Sequence, residues 1–145
     1  MQEEYKKALQ YSFLLLKYRD RTTFELKTRL RRKKFSKSVV EKTVEYLVEN
    51  RYVNDRDFAF LYARQKFRDA FGERKVAFEL KRFGIDHETI RQAVTAARGE
   101  FDKTDMIKTL IEKKCRDKTP RAIMRYLVQR GFQYEDIMQG LTDED

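Results

Sequence analysis

Three leucines, Leu30, Leu80 and Leu127, carry the same apolar pattern around them. Four residues before each stands Leu26, Val76 or Ile123, and five after stands Phe35, Ile85 or Phe132. Ten after come Val40, Ile90 and Ile137, and fourteen after come Val44, Val94 and Leu141. Within a phrase these offsets put apolar side chains on one helical face, then break phase, then resume on a second helix. The anchors lie 50 and 47 residues apart, a period that means an array of supersecondary units. An Arg-Asp pair recurs upstream as Arg19-Asp20, Arg68-Asp69 and Arg116-Asp117, with one inserted residue in the middle copy.

Each phrase has start and stop chemistry. Eight residues before the anchors stand Thr22, Gly72 and Thr119 as helix caps, and Pro120 follows at the first helical position, where its missing N–H costs nothing. Gly84 and Gly131 fall where a left-handed residue closes a Schellman motif, which brings the next residue, Ile85 or Phe132, back onto the leucine. Lys34 holds the Gly place in the first copy. A non-Gly residue there costs roughly 1 kcal/mol, so Lys34→Gly is expected to stabilise the protein. A further helix opens after Ser36, Asp86 or Gln133-Tyr134. A longer helix precedes each phrase, near 3–19, 55–70 and 103–116, with Asp55 expected to cap the second. No segment alternates as a strand does, and "RYVND" at 51–55 reads as a turn. The expected fold is all-α: three tandem three-helix repeats at 1–54, 55–101 and 102–145, each too small to hide its apolar face alone.

Composition then limits the chemistry. One Pro and five Gly in 145 residues suit helices with short connections. Cys115 stands alone, so no internal disulfide forms and a reducing compartment is expected. No apolar run reaches the roughly 18 residues of a spanning helix, and the charged start is no secretory signal, so the expectation is a cytoplasmic protein without membrane contact. His87 reads as a surface residue and Cys115 as a small packing residue. No residue cluster has metal-ligand spacing, and no Gly-rich phosphate loop occurs. Glu41, Glu45 and Glu49 read as a solvated helix stripe. No enzyme activity, metal or cofactor is expected.

The remaining signal is positive charge. The chain carries a formal +9 at a pI near 9.6, which favours nucleic acid or an acidic protein surface as partner. Residues 1–54 hold 14 Lys/Arg against 7 Asp/Glu, whereas 102–145 hold 9 of each. The densest run is "KTRLRRKKFSK" at 27–37, around the first helix stop; Lys81 and Arg82 correspond in the second copy and Arg130 in the third. Arg64, Lys66 and Arg68, with Arg74 and Lys75 following, form a second cluster. Cations at a helix C-terminus also oppose the macrodipole, so part of this charge stabilises helices. Phe58, Tyr62 and Phe67 stand at helical spacing and read as core.

The stretch "YLVENRYVNDRDFAFLYARQKFRDAFGERKVAFELKRFGID" at 46–86 resembles the RecX family of recombination regulators. The family pattern falls on Asp55, Phe58, Ala59, Tyr62, Arg64, Gly72, Glu79, Leu80, Gly84 and Ile85; Arg19, Thr22, Glu25, Leu26 and Leu30 fit it in the first copy. The resemblance spans nearly the whole chain. It implies an elongated, curved helical array that binds the RecA recombinase filament on single-stranded DNA. Such an array limits filament growth or promotes disassembly without catalysis, in recombination, repair and the SOS response. It also implies that weak binding of single- or double-stranded DNA occurs in some members, and a monomer is expected. On this reading Arg19, Arg21, Lys27, Arg31, Lys34, Arg64, Arg68, Lys81 and Arg82 are the electrostatic contacts. Lys34, Thr22 in place of Ser, and the acidic tail Asp143-Glu144-Asp145 depart from the family pattern. Competing readings are a sequence-nonspecific nucleic-acid binder and an adaptor for an acidic partner.

Overall fold

The structure, a computed structural model, describes residues 2–142; the acidic tail at 143–145 lies outside the described residues. These residues form nine helices and no strand: α1 (Gln2–Tyr18), α2 (Thr23–Arg32), α3 (Lys37–Glu49), α4 (Asp55–Arg68), α5 (Glu73–Arg82), α6 (His87–Arg98), α7 (Lys103–Lys114), α8 (Pro120–Gln129) and α9 (Tyr134–Thr142). Helix packing runs mainly within consecutive triplets, α1–α3, α4–α6 and α7–α9.

Local chemistry explains the boundaries. Thr22 caps α2 with a full capping box: its hydroxyl accepts from the Glu25 N–H, and the Glu25 carboxylate accepts from the Thr22 N–H. Ser36, Asp86 and Thr119 cap α3, α6 and α8. Donation from the Thr89 N–H, and then from its hydroxyl, holds Asp86 below its ordinary carboxylate value. The cap of α4 differs from the sequence expectation. Asn54 performs it, accepting from the Asp57 N–H, and Asp55 is the first helical residue, freed to reach another helix.

All three phrases end in the expected stop. The Phe35, Ile85 and Phe132 amides donate to Leu30, Leu80 and Leu127 carbonyls at 3.3, 3.2 and 3.1 Å. Lys34, Gly84 and Gly131 sit between at positive φ. Two further left-handed residues, Arg51 and Ala70, close α3 and α4 by the same device without a Gly to announce them.

Buried side chains fall into three clusters. Leu26, Leu30, Val40 and Leu47 centre the first; Ala63, Val76, Leu80 and Ala97 the second; Ile107, Leu127, Phe132 and Ile137 the third. Fully burying such a side chain stabilises by about 1.5–3 kcal/mol, and truncating Leu80 to Ala would cost about 2–5 kcal/mol.

The triplets meet end to end along α2, α5 and α8. At the first joint the Thr22 hydroxyl donates to the Phe83 carbonyl at 2.7 Å, so the stop of α5 abuts the start of α2. Asp55 fixes the same start, accepting from the Thr23 N–H at 2.9 Å and its hydroxyl at 2.8 Å. Phe58, Tyr62 and Phe83 bracket the joint with ring centroids 5.2–6.0 Å apart. At the second joint the Gly72 and Arg74 amides, at the start of α5, donate to the Arg130 and Gly131 carbonyls at 2.7 and 3.1 Å. The repeated helix stop is therefore also the connector between triplets.

Candidate interaction surface

A helix that buries one stripe must expose the opposite one, and on α2 and α5 that stripe carries charge. Leu26 and Leu30 are buried on α2, Lys27 and Arg31 follow one another at helical spacing on a different face, and Lys34 stands in the stop just beyond. Arg31 and Lys34 are exposed and Lys27 is half-buried. On α5 the buried pair is Val76 and Leu80, and the exposed stripe is Arg74, Phe78 and Lys81, with Arg82 beside it. The last-turn cations Arg31, Arg32, Lys81 and Arg82 face the negative ends of their helices.

The other expected contact residues are more engaged. Arg19 pairs with Glu25 across two hydrogen bonds and lies 5.8 Å from the Phe83 ring, so it braces the first joint. Arg21 is half-buried, with its Nε buried and unpartnered; burial, then the neighbouring Arg19, lower its guanidinium from the ordinary value. Arg64 Nε lies 3.2 Å from Glu100 without hydrogen-bond geometry. Arg68 is exposed and outside every ion pair found among the described residues. Of the nine, Arg19 and Arg21 are neighbours, and Arg19 and Arg64 each lie against a carboxylate. Arg130, the third-copy counterpart of Lys33 and Phe83, is structural. It donates to the Ala70 and Asp69 carbonyls at 3.0 and 2.6 Å and stacks 4.1 Å above Phe71.

Concave surface lies between the second and third helices of a triplet. The α5–α6 cleft, about 580 Å³, has Ala77, Ile90 and Val94 along it and Phe78 at 62% exposure. Its charges are Arg74, Lys81, Arg91 and Arg98 against Glu73, with His87 at one end. Arg98 is taken up by Glu73 at 2.9 Å, and Arg91 pairs with Glu88, which Arg91 holds below its ordinary carboxylate value. Among the described residues no ion pair engages Arg74 or Lys81. The matching α2–α3 cleft, about 480 Å³, carries the opposite sign: Glu41, Glu45 and Glu49 against Lys27. In the sequence Glu41, Glu45 and Glu49 read as a plain solvated stripe, and Phe78 and Arg91 belong to no motif. Overlaying the third helices, where Glu41 and Arg91 share a place, is the signal that finds the contrast. A small chamber of about 10 Å³ at the second joint is too tight for any ligand. Among the described residues no His/Cys/Asp/Glu group could hold a metal, and no helix is long and apolar enough to cross a membrane.

Comparison with known proteins finds the same architecture. Residues 8–47 match the model of the first RecX three-helix domain, and residues 54–94 that of the second. The regulatory protein RecX of Thermotoga maritima is 38% identical over 141 residues, covering 97% of this chain and 86% of that protein. That of Caldanaerobacter subterraneus subsp. tengcongensis is 27% identical, covering 96% and 71%. The crystal structure of RecX from Lactobacillus salivarius superposes with a TM-score of 0.87 at 20% identity, over 99% of this chain and 97% of that one. At that identity the superposition speaks for the fold.

Proposed function

The chain belongs to the RecX family of regulatory proteins, and from that premise we propose that it is a non-enzymatic regulator of the RecA recombinase filament on single-stranded DNA. It would bind the filament, limit its growth or promote its disassembly, and so restrain recombination and repair. The observation that carries this reading is the family match across two triplets together with a relative aligned over 97% of this chain. The exposed cations agree with it. Arg31 and Lys34 at one end, Arg68, and Lys81 with Arg82 are spread over successive triplets. Several modest contacts on one linked array multiply in effect. We divide the chain into units at 1–54, 55–101 and 102–145, a reading supported by the three buried clusters. We read the protein as a cytoplasmic monomer whose own contact with DNA is weak.

The test is the DNA-stimulated ATPase of a RecA-type recombinase on single-stranded DNA, with this protein added well below stoichiometry. Inhibition is expected, and its absence would sink the reading. Arg31→Glu with Arg68→Glu, at two exposed positions outside the ion pairs above, should weaken inhibition while the helical circular dichroism stays intact. The rival reading, direct nucleic-acid binding, expects tight, steeply salt-dependent DNA affinity without recombinase.

A further inference from the structure

We infer that the α5–α6 cleft docks an acidic peptide segment that carries one apolar side chain. The inference rests on the reading that the protein works by gripping another protein, and it names the chemistry one triplet would grip.

The cleft differs from its counterpart in ways the fold does not require. Glu41 and Arg91 occupy the same place on α3 and α6, and Thr28 and Phe78 the same place on α2 and α5. The scaffold accepts either sign and either size there. Charge and aromatic at the middle cleft are therefore properties of that cleft and not of helix packing. Phe78 stands 62% exposed beside Arg74 and Lys81, whose charges no carboxylate among the described residues answers. An uncovered aromatic between free cations, above an apolar floor of Ala77 and Val94, suits an apolar anchor flanked by carboxylates. A single-stranded nucleic acid suits it less well. Such a strand needs a run of stacking platforms along a continuous basic track. This cleft offers one ring, and the corresponding α2–α3 cleft presents Glu41, Glu45 and Glu49.

The probe is a short fluorescein-labelled peptide of alternating Asp and Glu around a central Leu, titrated with the full chain by anisotropy. A labelled oligothymidylate of similar charge runs in parallel. The acidic peptide should bind, and replacing its Leu by Ser should weaken binding about tenfold. Phe78→Ala should also weaken it about tenfold; Phe78 is exposed, so the fold should survive, as circular dichroism would confirm. Arg74→Glu with Lys81→Glu should abolish binding, and Glu41→Gln should leave it unchanged. No peptide binding, or binding indifferent to Phe78, Arg74 and Lys81, would overturn the assignment. So would an oligonucleotide that binds as tightly and depends on the same residues. The two readings fail separately. ATPase inhibition without cleft-dependent peptide binding removes the cleft and leaves the regulator. Cleft-dependent peptide binding without ATPase inhibition removes the filament and leaves the cleft.

Discussion

Lys34 and Gly131 close the same helix stop, at φ 71° and 100°, with the same pair of backbone hydrogen bonds. Their surroundings separate them. A Cβ at Gly131 would lie 2.5 Å from the Lys75 backbone nitrogen and side chain. Its partner across the second joint, Gly72, would place a Cβ 2.3 Å from the Gly131 carbonyl carbon. Gly84, at the first joint, would meet Phe24 at 2.2 Å. Lys34 ends α2, the last helix in the row, and its side chain is exposed. The left-handed turn itself tolerates a side chain at modest cost; the joint does not. Charge follows the same division. At the second joint the Arg130 and Gly131 carbonyls, in the stop after α8, accept amides from the start of α5, whereas the free end of α2 is ringed by Arg31, Arg32, Lys33 and Lys34.

The strongest way to break this contrast is Gly131→Ala, which forces backbone against backbone. It should cost about 3 kcal/mol or more in chemical denaturation, and a loss below about 1 kcal/mol would mean the joint yields. Gly84→Ala should cost somewhat less, about 2–3 kcal/mol: the added Cβ meets Phe24 Cβ and Cγ, the near end of a side chain that cannot swing clear, but no backbone atom is among its nearest neighbours. Adding Phe24→Gly, which removes both the Cβ and the Cγ it meets, should recover part of that loss, and strict additivity of the two would show that they do not meet. Lys34→Gly should do the reverse and stabilise by roughly 1 kcal/mol, which isolates the price of the left-handed turn without a joint. An unchanged melting temperature would place the strain elsewhere.

The smallest effect concerns the aromatic bracket at the first joint. Burial, and then its hydrogen bond to Glu79, raise the Tyr62 phenol from 10.0 to about 12. The protonated form is the one the fold favours. The stabilisation from this shift is therefore complete below about pH 10 and disappears as pH climbs through about 12. Tyr62→Phe should flatten the fall in stability across that window in alkaline denaturation, and an unaltered slope would count against the bracket.

Much of the fold was legible because helix stops have strict spacing. The leucine anchors, the apolar residues five beyond them and the caps Thr22, Gly72 and Thr119 all follow from what a Schellman motif and an N-cap require. What sequence hid lies between triplets. Asn54 and Asp55 are both good caps, and only the position of Thr23 shows that Asp55 serves another helix. Arg130 looked like a free cation until the Asp69 and Ala70 carbonyls stood beside it. Ala70 and Arg51 turn left-handed with nothing in their side chains to say so. The cleft was hidden for a different reason: its sign emerges only when α3 and α6 are laid over each other, since neither Glu41 nor Arg91 is unusual on an exposed helix.

The amides of Gly72 and Arg74 have a consequence for solvent exchange. The first N–H groups of a helix have no intrahelical carbonyl and ordinarily trade protons with water early. Here both are bonded to carbonyls 58 and 57 positions along the chain. Their deuterium uptake should therefore track separation of whole triplets and not fraying of α5. The corresponding amide of Arg121, at the open start of α8, should exchange fast, giving a built-in reference for how often the array comes apart.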